Sequence, residues 1–355
     1  MTRVKHIVVT GGGTAGHVIP SIPIIQRLLD DGLEVSFVGS TSGLEELLIE
    51  GLDIPFYGIT TGKLRRYFSL ENLVDAFRVF KGISQAFSLM RRVKPVVVFS
   101  KGGYVAFPVV FAAWLNRVPV VAHESDLTPG LANRLCLPFI KSLCLNFPET
   151  SVRTRNVLVT GTAVRPDLLN GDAERGRKWL AAPPDSRILV VVGGSLGAAA
   201  INAVVRESLA RLCEAYFVVH VCGANQIDNT YDRPNYAQYE YVSEEWGDVL
   251  AAADLVISRS GANALYELLA LKKINILIPL SRRASRGDQI ENATMAERRG
   301  WSFVVPEETL NSVSLLNAVE FVERDRDYWL TNLQTFEVRD SVTLIYEELA
   351  RVARR

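Results

Sequence analysis

Residues 6–17 read HIVVTGGGTAGH, a short run of mostly β-branched residues followed at once by a glycine-rich loop. A second stretch of the same design, RILVVVGGSLGA, occupies residues 187–198. Glycines let a backbone turn tightly off a strand and bring its N–H groups close to a ligand. A helix that begins after such a loop adds partial positive charge. Each loop is therefore a candidate diphosphate cradle, with a purely structural turn as the alternative.

Aliphatic runs recur along the chain, separated by stretches with helical periodicity. The first series lies at 6–10, 34–38, 95–99, 118–122 and 156–160, and the second at 187–192, 216–221, 254–258 and 274–278. Short buried strands that alternate with helices predict parallel sheets covered on both faces. The sequence therefore predicts an α/β protein with two doubly wound, Rossmann-like domains, 1–163 and 164–337. It also predicts an amphipathic helix over 338–355.

The composition and the missing motifs exclude several classes of protein. The 355 residues are 48% hydrophobic and 22% charged, which is ordinary globular composition, and their net charge of zero argues against a nucleic-acid partner. A Walker sequence is absent, and Gly39 and Ser40 stand where an NAD-binding fold has an acidic residue. The four cysteines show neither disulfide nor zinc spacing, as expected in a reducing cytoplasm. No apolar run approaches the roughly 20 residues that span a bilayer.

Six motifs, in order along the chain, resemble the MurG family of peptidoglycan N-acetylglucosaminyltransferases, in the form found in low-GC Gram-positive cocci. They are GGGTAGH (11–17), SKGGY (100–104), HESDLTPGLAN (123–133), GGSLGA (193–198), SRSGANA (258–264) and GDQIENA (287–293). The resemblance implies a GT-B fold, in which two Rossmann-like domains face a cleft and the last helix crosses back to the first domain. It implies inverting transfer of GlcNAc from UDP-GlcNAc to the C4 hydroxyl of undecaprenyl-diphospho-MurNAc-peptide (lipid I), which gives lipid II.

The same resemblance assigns donor contacts, position by position, to the second domain. It implies that Ser195 contacts the phosphates, that Arg165 binds near the nucleotide, and that the backbone of Val242 reads uracil. It places Glu267, at the end of the segment Ala262–Glu267, on the ribose hydroxyls. Gln289 is expected to bond sugar hydroxyls.

The first domain is expected to hold the acceptor and the catalytic base. Inverting transfer needs a base for the acceptor hydroxyl and stabilisation of the leaving UDP. His17, which closes the first glycine loop, is the preferred base, with phosphate binding or loop orientation as its alternative role; Glu124 is the rival base. The resemblance implies that Thr14, Gly16 and Asp126 lie beside the transferred sugar. Asp126 departs from the asparagine that many members of the family have at this position.

A metal site is not predicted. Asp325-Arg-Asp327 spells the D-x-D signature of other glycosyltransferases, but it lies in a charged helical stretch and is interpreted as a solvated face. Loop amides and a helix dipole can supply the positive potential that the leaving group needs. A loosely bound Mg²⁺ on the donor diphosphate stays open as an alternative.

Segment 63–94 mixes basic and apolar side chains. The basic ones are Lys63, Arg65, Arg66, Arg78, Lys81, Arg91, Arg92 and Lys94, and the apolar ones Phe68, Leu70, Leu73, Phe77, Phe80, Phe87 and Leu89. This mixture suits an anionic bilayer surface, and the alternative is a core helix with a basic outer face. Together with the resemblance, it predicts a peripheral protein on the cytoplasmic side of the cell membrane. Other cell-wall synthesis proteins are potential partners there.

Three other functions are compatible with this fold class. One is a transferase of the same fold with a soluble acceptor, and another is a non-hydrolysing UDP-GlcNAc epimerase, which would not need segment 63–94. A silent sugar-nucleotide-binding subunit would keep Arg165, Ser195 and Gln289 but lose the acceptor-side motifs. This chain retains His17 and residues 123–133, which favours the transferase.

Overall fold

The computed structural model describes residues 5–62, 71–154, 156–194 and 197–354, without the side chains of 71–74. The chain forms two compact units. Unit 1 comprises Met1–Ala163 together with Arg339–Arg355, and unit 2 comprises Val164–Val338. The chain therefore leaves unit 1 after Ala163 and re-enters it at Arg339.

The described part of unit 1 is built on a parallel sheet of seven strands in the order β3-β2-β1-β4-β5-β6-β7. The strands are β1 (His6–Thr10), β2 (Glu34–Ser40), β3 (Phe56–Ile59), β4 (Val97–Ser100), β5 (Val120–Glu124), β6 (Ser142–Leu145) and β7 (Val157–Val159). All neighbours pair in parallel, so the carboxyl ends of β1, β4 and β5 meet at one edge of the sheet. The loops that follow these three strands are brought together there.

Helices cover both faces of this sheet. They are α1 (Ile22–Asp30), α2 (Glu45–Ile49), α3 (Glu71–Val93), α4 (Ala106–Leu115), α5 (Leu131–Cys136) and, at the end of the chain, α14 (Ser341–Ala353). Side chains alternate along β1: Ile7 and Val9 pack in one core with α1 and α14, whereas Val8 packs in the other core with α3 and α4. Both faces are therefore buried, which explains the continuous aliphatic run of β1.

The last helix, α14, packs within unit 1. Its buried stripe consists of Ile345, Leu349 and Val352, spaced for one helical face. The Asp340 side chain caps its first turn by accepting from Thr343 N, at 3.1 Å. This helix lies where the sequence predicted an amphipathic one.

Unit 2 repeats the design with a parallel sheet of six described strands in the order β10-β9-β8-β11-β12-β13. They are β8 (Ile188–Val192), β9 (Phe217–Val221), β10 (Tyr236–Tyr239), β11 (Leu255–Ser258), β12 (Asn275–Leu277) and β13 (Phe303–Val304). The helices are α6 (Pro166–Leu169), α7 (Ala173–Trp179), α8 (Ala199–Ala215), α9 (Trp246–Ala252), α10 (Ala262–Ala270), α11 (Asp288–Arg298), α12 (Ser312–Arg324) and α13 (Arg326–Gln334). The predicted α/β class with two parallel-sheet units is confirmed.

Four strands were missed by the sequence analysis, namely β3, β6, β10 and β13. The edge strand β10 (YAQY) is half-buried along its whole length, and β3 (FYGI) contains a glycine and is only partly covered. Strands of this kind lack the continuous aliphatic run that marks a fully buried one.

Candidate active site

The first glycine loop packs tightly against the loop that follows β4. Gly12 N donates to Gly102 O at 3.2 Å, and Gly103 adopts a φ of +84°. A Cβ on Gly103 would lie 1.9 Å from Gly12 O. Because only glycine allows this approach, GGGTAGH and SKGGY act as one packed pair of loops.

An internal carboxylate already occupies part of the first loop. Gly13 N donates to Glu45 Oε1 at 2.8 Å, and Glu45, the first residue of α2, is 1% exposed. A Cβ on Gly12 would lie 2.1 Å from the same oxygen. The Gly13 amide is thus bonded to the protein's own anion, so the expected diphosphate cradle is not open at this amide.

His17 is half-buried and held by its own loop. Its Nδ1 lies 2.9 Å from Thr14 Oγ1, and its N donates to Thr14 O at 3.1 Å. The segment Ala15–His17 is a single 3₁₀ turn, and α1 begins only at Ile22. The first glycine loop is therefore not followed directly by an α-helix, and the partial positive charge expected at this loop is weaker than a full helix would give. Gly16 and Thr14 are exposed on the same turn.

Glu124, the last residue of β5, organises the loop that follows it. Its carboxylate is 4% exposed. It accepts from Asp126 N at 3.0 Å, from Gly130 N at 3.0 Å and from Asn133 Nδ2 at 2.8 Å. Both oxygens are therefore engaged in holding the 123–133 motif together. This arrangement favours a structural task for Glu124 over the role of rival base, and it leaves Asp126 half-buried on the loop.

A buried polar cluster beside this loop went unassigned in the sequence analysis. Lys101, 2% exposed, places Nζ 2.8 Å from His123 Nδ1 and 2.6 Å from Ser125 Oγ. Burial lowers the pKa of Lys101 to about 7, and the charges of Glu124 and Asp126 oppose that shift. The sequence did contain a signal for this cluster, namely a lysine between Ser100 and two glycines. A charged residue directly after a buried strand needs a polar partner.

In unit 2, the second glycine loop leads into the 17-residue helix α8. Gly194 and Gly197 have φ values of +94° and +74°. The first turn of α8 holds no acidic residue, and its Ala198 N-cap supplies no side-chain hydrogen bond. The positive end of a long helix therefore stands at this loop, as an anion site requires. Ser195, the predicted phosphate contact, lies outside the described residues.

The other predicted donor residues also lie in unit 2, and two of them follow the strands β11 and β12. Ala262 begins α10 after β11, and Gln289 lies in α11 after β12. Gln289 Oε1 accepts from Leu280 N at 3.0 Å, which fixes the side-chain amide so that its NH₂ group is presented as a donor. Since β8, β11 and β12 are consecutive parallel strands of the sheet, the loops after them lie at its carboxyl edge. Val242 lies half-buried in the loop after β10.

Glu267 and Arg165 form a second electrostatic feature of unit 2. Burial raises the pKa of Glu267 to about 7; the Arg165 charge opposes that rise, and Asp167 adds to it. Arg165 Nη1 lies 3.6 Å from Asp167 Oδ2. A carboxyl with a raised pKa under the charge of an arginine is a candidate for binding a ligand.

The next observations concern metal sites and membrane-spanning helices. In the described ranges no three His, Cys, Asp or Glu side chains come together as metal ligands. Asp325 of the D-x-D sequence pairs with Arg324 at 3.4 Å on an exposed surface. None of the helices in the described part of the chain combines the length and the apolar character needed to cross a membrane.

Comparison with known proteins identifies the family. The glycosyltransferase family 28 N-terminal domain matches residues 7–144, and the glycosyltransferase family 28 C-terminal domain matches residues 188–342. The chain is 46% identical over 350 residues, 98% of each protein, to the UDP-N-acetylglucosamine--N-acetylmuramyl-(pentapeptide) pyrophosphoryl-undecaprenol N-acetylglucosamine transferase of Clostridium perfringens. It is 46% identical over 344 residues to the protein of the same name from Clostridium kluyveri, covering 96% of this chain and 98% of that one.

Solved structures confirm the GT-B class. The crystal structure of Acinetobacter baumannii MurG superposes with a TM-score of 0.79, over 98% of this chain and 99% of that one, at 24% identity. The motifs along the chain, the two Rossmann-like units and the full-length similarity agree. The chain therefore belongs to glycosyltransferase family 28, among the MurG-type N-acetylglucosaminyltransferases that its motifs resemble.

Proposed function

We propose that this protein transfers GlcNAc from UDP-GlcNAc to the C4 hydroxyl of undecaprenyl-diphospho-MurNAc-peptide, giving lipid II and UDP with inversion. The observation that carries the proposal is similarity over nearly the whole chain to enzymes named for this donor and acceptor. A binding subunit or an epimerase would have no need of the acceptor-side loops. Here the buried side chains of Lys101 and Glu124 hold the 123–133 segment in place.

Unit 2 is the proposed donor domain. The N-terminus of α8 and the glycine loop would bind the diphosphate and stabilise the negative charge that develops on the leaving UDP. Glu267 would accept from the ribose hydroxyls, Arg165 would lie near the nucleotide, and Gln289 would donate to the sugar. Because helix and loop dipoles supply this potential, we propose that any Mg²⁺ travels on the donor diphosphate.

Unit 1 is the proposed acceptor domain, with His17 as the base that removes the proton from the C4 hydroxyl. The contact between Thr14 and Nδ1 fixes the ring, as a base needs an orienting partner. Asp126 and Gly16 lie on the two loops of the same sheet edge and would lie beside the transferred sugar, where the bound acceptor receives it.

Helix α3 and its neighbour α4 form the proposed membrane surface. Phe77 and Phe80 are 75% and 70% exposed on α3, next to exposed Arg78 and Lys81, and Trp114 of α4 is 48% exposed. Leu89, which the sequence analysis counted with the apolar contacts, is in the core at 6% exposure. Residues 63–70 lie outside the described residues. We propose a peripheral position on the cytoplasmic face, which the four unpaired cysteines support.

Transfer of labelled GlcNAc to a short-chain lipid I analogue tests the function. We expect a product that carries GlcNAc on the acceptor and release of one UDP for each transfer. If UDP-GlcNAc binds and its sugar is epimerised without acceptor, the epimerase replaces this proposal. Tight donor binding with no turnover would favour the binding subunit instead.

Glu267→Gln tests the ribose contact through pH. In the wild type the carboxyl ionises as pH rises through about 7, so UDP affinity should rise by up to about tenfold per pH unit below that value and then level off. The variant should bind UDP more weakly and without this slope. Isothermal titration calorimetry across the pH range measures both. Glu214→Gln, which removes an exposed carboxylate paired with Arg211 on the same unit, is the control. The same pH slope in Glu267→Gln would assign it to another group.

Phe77→Ser combined with Phe80→Ser tests the membrane surface. Each exposed phenylalanine contributes about 1.5–3 kcal/mol when buried in an apolar phase, so the double variant should bind vesicles at least about tenfold more weakly. Sedimentation with phosphatidylglycerol vesicles measures this loss. Val313→Ser, which replaces a 65% exposed apolar residue of α12 in unit 2, should leave binding unchanged. Equal binding by the double variant and the wild type would remove α3 from the membrane surface.

A further inference from the structure

Lys101 stands at the centre of the acceptor-side edge and is not used by the reaction as proposed above. It follows β4 directly, and its N donates to Thr10 O at 2.8 Å, which ties it to the end of β1. Its side chain points into the protein, where the amine contacts His123 near the end of β5 and Ser125 directly after that strand. Lys101 thus joins the ends of three neighbouring strands.

The hydrogen bonds through this cluster run in one direction. His123 Nε2 lies 2.9 Å from Gly161 O, and a carbonyl can only accept, so Nε2 carries the hydrogen. Nδ1 is then the acceptor, and Lys101 Nζ donates to it. Burial, together with the Lys101 charge, holds the pKa of His123 well below its usual range, so the ring stays neutral. Lys101 Nζ therefore donates to His123 Nδ1, and His123 Nε2 donates to Gly161 O.

Gly161 belongs to the segment at which the chain leaves unit 1. The segment that re-enters unit 1 is fastened to the same place, because Ser341 Oγ lies 2.7 Å from Thr160 O and 2.9 Å from Thr162 O. His123 therefore links the acceptor-side loop to residues 160–162, and Lys101 holds His123 and Ser125 in position for that link.

We propose that Lys101 is a positioning residue for the transfer: through His123 and Ser125 it fixes the 123–130 segment to residues 160–162, where the chain leaves unit 1. This inference rests on the proposed function, in which segment 123–130 binds the acceptor. Loss of the amine then raises the acceptor KM more than it lowers kcat, because the loop is misplaced while the base is retained.

The charge of Lys101 gives the proposal a specific signature. The titratable groups around it are His123 and Glu124 on β5, Asp126 on the loop and Cys144 on β6, and Glu348 of α14 acts on Cys144 through its charge. Cys144 stays a neutral thiol because burial raises its pKa to about 12. As pH rises through about 7, the amine loses its charge, its two donated bonds weaken, and its attraction to Glu124 and Asp126 disappears. The acceptor KM of the wild type should therefore rise across this pH.

The test compares Lys101→Met with Ser125→Ala, which leaves the amine and removes one partner, and with the control Lys273→Met. Lys273 is a half-buried lysine of unit 2 that donates to Ala251 O and Ala253 O. Transfer to the lipid I analogue is measured at pH values on both sides of 7, and hydrogen–deuterium exchange of residues 123–130 is measured without substrate. We expect about a tenfold higher acceptor KM in Lys101→Met, a smaller rise in Ser125→Ala and faster exchange in both.

The outcomes separate this inference from the proposed function. Active wild type with an acceptor KM in Lys101→Met that is raised and no longer rises with pH supports it. A variant KM that exceeds the wild-type KM by the same factor at every pH, or that equals the wild-type KM, overturns it and leaves the transferase standing. If the wild type transfers nothing, the proposed function fails, and the exchange data decide the inference. Unchanged exchange in residues 123–130 overturns the link, and faster exchange confined to them supports it.

Discussion

His17→Ala should lower kcat for GlcNAc transfer by about 100- to 10,000-fold, the range expected when a general base is removed. The acceptor hydroxyl then has no group to take its proton as the bond to the sugar forms. UDP affinity should stay unchanged, because the proposed nucleotide contacts belong to unit 2. Single-turnover transfer to the lipid I analogue, together with calorimetric UDP binding, measures both quantities.

Two variants bracket this result. Thr14→Val removes the 2.9 Å contact to Nδ1 and should lower kcat by less than His17→Ala, since the ring stays but loses its orientation. His6→Ala is the matched control. His6 is the first residue of β1, at the end opposite to the loop that carries His17, and it contacts Glu34 and Ser36. Wild-type kcat in His17→Ala would remove His17 from the chemistry. Glu124 would not simply replace it, because its carboxylate already accepts three hydrogen bonds from residues 126–133.

Gly197→Ala should disrupt the donor loop. Gly197 has a φ of +74°, and a Cβ there would lie 2.1 Å from Cys222 O, a backbone atom that cannot turn aside. The left-handed backbone and the clash together should lower the free energy of unfolding by about 2–5 kcal/mol. UDP affinity should fall at least about tenfold, the worth of one misplaced charge-assisted hydrogen bond.

Gly194→Ala is the control that isolates the clash. It lies in the same loop with a φ of +94°, but a Cβ at this position meets no heavy atom within 4 Å. Its cost in stability should be the conformational one alone, about 1–2 kcal/mol. Urea unfolding of both variants gives the comparison. Equal losses of stability would mean that the loop shifts to accommodate the methyl group, contrary to the packing against Cys222.

Much of this protein can be predicted from its sequence. The aliphatic runs and the two glycine loops predicted two parallel-sheet units, and the six motifs predicted the family. These signals are local: a buried parallel strand needs a continuous apolar run, and a tight turn needs glycine whatever surrounds it. Edge strands such as β10 escaped because a half-covered strand carries no such pattern.

The roles of individual polar side chains depend on contacts between residues far apart in sequence, and only the tertiary structure decided them. Glu45 accepts a hydrogen bond from the amide of Gly13, 32 positions earlier in the sequence. Lys101, after β4, contacts His123 and Ser125 at the end of β5. Periodicity records whether a position is buried, but it does not record which partner a buried charge will find. That partner is set by strand order and register, because these bring the ends of β1, β4 and β5 to one edge of the sheet. The glycine loop after β1, the buried amine of Lys101 after β4 and the loop held by Glu124 after β5 therefore lie side by side.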